Sequence, residues 1–200
     1  DSIVKIDQLS EKAQQYNYES IAITDSANLF GFLKFYKSVR SKGIKPIAGA
    51  EINHVRDSSS HNEHANLTLI AKNQLGYKNL IKLISKSQIV GKTSGIPVIE
   101  TEWLAEHSDG LIALSGGFRG HIGKAVLDTN HDLFLKRIKY FQKIFKEDFV
   151  LEISRINRPQ EDIYNDYILS KAGELGLPVV ASNEVRFIDK EDYEAHETRV

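Results

Sequence analysis

The chain alternates between short apolar runs and longer stretches in which apolar residues recur every three or four positions. Ser20 to Thr24, Lys45 to Glu51, Asn66 to Ala71, Gly110 to Ser115, Phe149 to Ile153 and Pro178 to Ser182 are short runs bounded by turn formers, and each predicts a strand. Helical spacing covers Asp7 to Tyr18, with Leu9, Ala13 and Tyr16 on one face and Asp7 or Ser10 as candidate caps. Phe32, Phe35, Tyr36 and Val39 repeat that period and stop at Gly43, a residue suited to the left-handed turn that ends a helix. Further helices are predicted over Tyr77 to Ser87, Glu100 to His107, Ile122 to Leu127 and Asp132 to Phe145. Another starts at Arg158-Pro159, with Pro159 in its first turn, and runs to about Leu175; Asp189 is placed to cap a last one. The polar, Ser- and His-rich stretch Asn53 to Ala65 predicts a mobile loop.

Strands alternating with helices predict an α/β fold with a parallel sheet, open or closed into a barrel. Both forms gather function at the C-terminal ends of the strands. Those ends carry Asp25 and Ser26, Glu51, Ser115 to Gly117, Ser154 and Arg155, and Asn183, Glu184 and Arg186. Three carboxylates and several small polar groups are thus expected on one rim. Asn66 lies at the start of the third strand, whose direction the pattern leaves open. In Thr24-Asp25-Ser26 a strand delivers a carboxylate at its tip, and a metal-binding version of that turn would carry histidine where Ser26 stands.

Two hundred residues, 41% of them hydrophobic, give one domain or one domain of a longer protein. A net charge of -1 supplies no broad attraction to DNA or to an anionic membrane. The absence of cysteine excludes disulfides, thiolate metal sites and a cysteine nucleophile, and fits a reducing, cytoplasmic compartment. No apolar run approaches the roughly 20 residues needed to span a bilayer, so no membrane partner is expected. Asp1 to Lys5 has no signal-peptide layout, and the lack of any methionine suggests a fragment or a processed chain.

Five separated blocks carry a family resemblance. They are Ile23-Thr24-Asp25-Ser26-Ala27-Asn28-Leu29, Gly43 to Glu51, Leu69 to Asn73 with Gly76 to Leu80, Leu114-Ser115-Gly116-Gly117, and Pro178 to Phe187. In that order and spacing they resemble the PHP (polymerase and histidinol phosphatase) domain of the bacterial replicative DNA polymerase III alpha subunit, in its proteobacterial form. The resemblance covers nearly all of residues 1–200, which would form one PHP domain of a much longer polymerase chain. It implies a distorted seven-stranded β/α (TIM-like) barrel, incomplete at one or both ends.

Active members of that family bind two or three metals on this rim and hydrolyse phosphoesters; the metals activate water and clamp the phosphate. Carried over by position, the resemblance places Asp25, Glu51 and Glu184 on family carboxylates. Ser26 replaces a histidine, Asn66 stands where a histidine precedes the third strand, Gly117 stands at a cysteine or histidine position, and Arg186 replaces the final histidine. The first His-x-His motif is not present in the 200 residues. These seven positions therefore read as a vestigial metal site with no metal and no catalytic residue, and Arg186 is expected to neutralise the pocket by pairing with Asp25, Glu51 or Glu184.

The resemblance implies a scaffold in DNA replication. Its partners would be the rest of the polymerase alpha chain and the proofreading exonuclease (epsilon) subunit, with DNA reached through the full-length protein. Magnesium is expected only in the absent polymerase domain. The competing reading is a residual metal-dependent phosphoesterase, pyrophosphatase or 3'-5' exonuclease using Asp25, Glu51 and Glu184; a stand-alone PHP phosphatase is the weaker third.

Other features carry plainer readings. His54, His61 and His64 have a spacing that could hold a metal, but no cysteine or carboxylate pair completes the set, which favours a solvated loop. Gly116, Gly117 and Gly120 could cradle a phosphate, though a tight strand-to-helix turn suffices. Lys34, Lys37, Arg40, Lys42 and Lys45 read as a solvated helix face rather than a DNA contact. His121 and His196 read as structural, and Trp103 as core or partner anchor.

Overall fold

A computed structural model describes residues 2–55, 64–93 and 95–199. They gather into two compact units. One comprises the residues up to Ile23, Phe30–Ala48 and those from Asn183 onward; the other comprises Thr24–Leu29 and Gly49–Ser182.

In the first unit, α1 (Ile6–Gln15) leads to β1 (Ser20–Ile23), and α2 (Phe32–Ser41) to the beginning of β2 (Lys45–Val55). β1 and β2 pair in parallel from Ser20↔Lys45 to Ile23↔Ala48. Ala13, Phe35, Val39 and Ile44 form the core here, with Ile6, Leu9, Ile21, Ile23 and Phe32 packed against it. Tyr16, expected on the inner face of α1, is exposed. Asp7 does not cap: α1 begins after Lys5 without a side-chain cap, and Asp7 lies in its first turn, where a carboxylate suits the positive helix end. The basic face of α2 is partly neutralised locally, Lys34 by Asp7 at 3.2 Å and Lys42 by Glu11 at 4.0 Å.

The second unit holds the rest of β2, β3 (Ala65–Ala71), α3 (Gln74–Ile89), β4 (Lys92–Thr93), β5 (Ile96–Glu100), α4 (Thr101–Glu106), β6 (Leu111–Leu114), α5 (His121–Leu127), α6 (His131–Phe145), β7 (Phe149–Ile153), α7 (Glu161–Leu175) and β8 (Val179–Ala181). The sheet order is β4-β5-β2-β3-β6-β7-β8. Each strand predicted from the sequence is present; the β4–β5 hairpin is an addition. α7 starts two residues beyond Pro159, after Gln160 in a left-handed conformation.

The sheet is mixed, where the alternation predicted a parallel one and left the direction of the third strand open. β5–β2, β6–β7 and β7–β8 are parallel, whereas β2–β3, β3–β6 and β4–β5 are antiparallel. Parallel neighbours need a long crossover, usually a helix. Between β2 and β3 the sequence predicts no helix, and the two strands return antiparallel. This turns β3 around and brings its first residues to the C-terminal ends of β2 and β6.

β2 also runs further than predicted. His54 lies on this strand, paired with Ala65 and Ile99, and not in a loop. Strand alternation puts Ala50, Ile52 and His54 on one face, and all three are buried. The His54 ring meets His121 edge-on, centroids 5.1 Å apart. His61 lies outside the described residues. On α6, Phe134, Ile138, Phe141 and Phe145 follow helical spacing into the core, where Phe141 stacks on Phe149 at 5.3 Å. Trp103 packs against that core beneath the Lys86 ammonium, 4.3 Å from its ring centre.

Back in the first unit, Asp189 does cap, through a capping box with Asp192 ahead of α8 (Tyr193–Arg199). No helix among the described residues is long and apolar enough to cross a membrane.

Candidate functional site

Within the second unit, Thr24–Leu29 lies against β2 at Glu51. The Glu51 N–H donates to the Asp25 carbonyl at 3.3 Å, and the Ala27 N–H donates to the Glu51 carbonyl at 2.8 Å. Ser26 and Glu51 form a parallel bridge. The turn closes through Ala27, whose φ of 51° is left-handed and whose carbonyl accepts from Gln88 Nε2 at 3.0 Å. Asp25 is half-buried, and that burial pushes its carboxyl above the ordinary value. Asp25, Ser26 and Glu51 therefore share one local frame, as the strand-tip reading requires.

Asn66 stands opposite Asn53, two positions from the Glu51↔Thr68 pair, and bridges Gly120 on its other side. Antiparallel β3 thus brings Asn66 beside the turn that follows β6. That turn needs glycine at Gly120, where a Cβ would lie 1.9 Å from the Ser115 carbonyl oxygen, and at Gly116, where the backbone is left-handed as well. Gly116 has φ 78°, and a Cβ there would lie 2.1 Å from the Asn66 carbonyl oxygen. Gly117 differs: its φ is 57°, but an added Cβ would meet nothing within 4 Å.

The turn ends in a 3-10 segment, Gly117–Arg119, and Arg119 reaches back to Glu51. Its Nη2 lies 3.1 Å from Glu51 Oε2, and both side chains are about one-third exposed, 34% and 27%. Below this pair sits Glu152, on β7 and nearly buried. Its Oε2 accepts the Gly116 N–H at 3.0 Å, and its Oε1 accepts the Ser182 hydroxyl. Its own N–H donates to Ser115 Oγ at 2.9 Å, and Tyr164 Oη donates to its carbonyl at 2.8 Å. Burial, with a further push from Glu51, raises the Glu152 carboxyl despite these hydrogen bonds and the Arg119 charge. Glu152 thus takes the Gly116 amide in the turn that joins β6 to the 3-10 segment ahead of α5.

The loop after β7 is held by another carboxylate. Glu161 is buried and accepts from Ser154 Oγ at 2.8 Å, from the Ile156 N–H at 2.8 Å and from the Asn157 N–H at 3.0 Å. Burial works against its ionisation, but these donors and the Arg158 N–H together bring its pKa below the ordinary value.

Glu184 and Arg186 belong to the first unit, where Arg186 Nη2 lies 4.0 Å from Glu184 Oε1. The Arg186 carbonyl accepts from the Ile3 N–H at 3.0 Å and from Ser2 Oγ at 3.1 Å. The cation on Glu51 is Arg119, which the sequence reading passed over. Its only signal was a basic residue inside Gly116-Gly117-Phe118-Arg119-Gly120. Glu152 and Glu161 were also missed; the available signal for Glu152 was a charge within the apolar run Phe149 to Ile153.

This donor set does not fit a metal cluster. Gly117 has no side chain, Ser26 and Asn66 are weak neutral ligands, and Glu51 already meets a guanidinium. Among the described residues, no three His, Asp or Glu side chains come together so as to hold a metal ion.

Comparison with known proteins gives the family and the fold. The PHP domain family model matches residues 1–156. The chain is 42% identical over 200 residues to the DNA polymerase III subunit alpha of Vibrio cholerae, and 41% identical over 200 residues to that of Escherichia coli. All of this chain is covered in both alignments, yet it spans only 17% of the length of either relative. Among solved structures, one described as a metal-dependent phosphoesterase from Bifidobacterium adolescentis superposes with a TM-score of 0.60 at 12% identity, covering 100% of this chain and 92% of that one. That likeness concerns the fold.

Proposed function

This chain belongs to the PHP domain family, and we propose that it is the N-terminal PHP region of a DNA polymerase III alpha subunit whose phosphoesterase site is no longer catalytic. Its role is to support the polymerase chain and to dock the proofreading exonuclease (epsilon) subunit. DNA synthesis and its magnesium belong to the remainder of the alpha chain.

The observation that carries the loss of catalysis is the Arg119–Glu51 ion pair. Phosphoester hydrolysis on such a rim needs a metal to make hydroxide and to neutralise the phosphate. Here a fixed guanidinium occupies the carboxylate that would hold the ion, and a guanidinium can neither surrender a proton at neutral pH nor activate water. The remaining rim groups, Asp25, Ser26 and Asn66, supply one carboxylate and two neutral oxygens. A role in assembly fits a rim whose polar groups are used to pin turns.

The full-length alpha chain tests both halves. With manganese added, hydrolysis of bis(p-nitrophenyl) phosphate should stay at background and be unchanged by Asp25→Asn. Turnover abolished by Asp25→Asn would overturn the loss of catalysis. Failure of the purified exonuclease subunit to bind the intact alpha chain would overturn the docking role.

A further inference from the structure

From Gln74 to Ile99 the chain has four lysines and no Asp or Glu across 26 residues. This stretch is α3 and the β4–β5 hairpin, both within the second unit. α3 turns Leu80, Leu83, Ile84 and Ser87 inward. The opposite face presents Leu75, Lys78, Lys82 and Ile89, spaced by three, four and seven residues along one side. Past its end, Val90 and Lys92 extend the same apolar and basic mixture. Ile89 is 79% exposed and Val90 64%. Lys86 is engaged, over the Trp103 ring. Lys78, Lys82 and Lys92 form no ion pair among the described residues.

This surface departs from the other basic face of the chain. At α2, Lys34 and, just past the helix end, Lys42 meet carboxylates of α1, which neutralises part of that face. On α3 positive charge is uncompensated and interleaved with large exposed aliphatics. A phosphate backbone is drawn by lysines but gains nothing from Leu75, Ile89 and Val90. A protein segment with an apolar stripe edged by carboxylates complements both features.

We propose that the outer face of α3, continued by Val90 and Lys92, docks an acidic amphipathic segment of a partner protein. Resting on the docking role argued above, that partner is the exonuclease subunit. The aliphatics anchor the segment, and the lysines set its orientation and its rate of association.

The test uses the full alpha chain and labelled exonuclease subunit, with binding followed by fluorescence anisotropy. The triple variant Lys78→Glu, Lys82→Glu, Ile89→Asp should weaken binding at least tenfold. A control, Lys136→Glu, Lys139→Glu, Lys143→Glu on α6, gives a larger change of charge and should weaken it less than twofold. Equal losses in both variants would mean a long-range charge effect and would overturn the proposal. Unchanged binding in the α3 variant would overturn this surface and leave the docking role standing. No binding by the wild-type alpha chain would overturn the docking role and this proposal together. Should the α3 variant lose affinity for a 24-base-pair duplex and keep its affinity for the exonuclease, the face is a nucleic-acid surface and the proposal fails.

Discussion

Removing Arg119 should destabilise the second unit through Glu51. The two side chains approach to 3.1 Å. At that separation the bare Coulomb energy is about 5 kcal/mol for an effective dielectric constant of about 20. Both groups are about one-third exposed, so water screens the attraction and desolvation opposes it. A coupling energy of about 1–2 kcal/mol is expected, above that of a fully exposed pair and below that of a buried one. Arg119→Ala also leaves Glu51 facing the raised carboxyl of Glu152 without a nearby cation, so this variant should lose more stability than Glu51→Gln. A double-mutant cycle of Arg119→Ala and Glu51→Gln, read by urea unfolding at pH 7, measures the coupling. Raising the salt from about 0.1 to 1 M should reduce it only in part, because the pair is partly sheltered. A coupling below about 0.3 kcal/mol would mean that the guanidinium is incidental to Glu51, and the electrostatic reading of the rim would fail.

Glu152→Gln should change how stability depends on pH. The folded chain binds the Glu152 proton more tightly than the unfolded chain, so this group's contribution is full below the ordinary value of 4.5 and is lost as pH rises through the folded value. Urea midpoints compared across that window should show the wild-type chain losing ground to the Gln variant as pH rises. Glu161 has the opposite sign: its contribution is present above its ordinary value and is lost as pH falls through the lowered folded value. Glu161→Ala strands the Ile156 and Asn157 amides and should cost about 2–4 kcal/mol by the same assay. Gly116→Ala and Gly117→Ala separate steric from conformational demand. The first drives a Cβ against the Asn66 carbonyl and should speed hydrogen exchange across residues 116–120, whereas the second meets open space and should cost only about 1–2 kcal/mol for its left-handed backbone.

Much of the fold was legible because strands and helices write their periods into the chain. Phe149–Ile153 was predicted to the residue, and α6 within one, because Phe134, Ile138, Phe141 and Phe145 keep strict helical spacing. The misreadings have separate causes. His54 looked like loop because it lies in a polar stretch, yet its place in the strand comes from pairing with Ala65 and Ile99. Tyr16 looked inward by spacing, but α1 ends at Gln15, so the position lost its helical frame.

By itself the sequence determined the turn glycines, the family and the strand ends at which Asp25 and Glu51 stand, since these depend on residue type and order. The direction of β3, and with it the placing of Asn66 beside Gly116, came only from the tertiary structure, because strand direction depends on the partner and not on local period. So did the cation on Glu51. In one dimension Arg119 is marked only by the glycines around it; a turn forced by Gly116 and held by Glu152 aims it across 68 residues at a carboxylate.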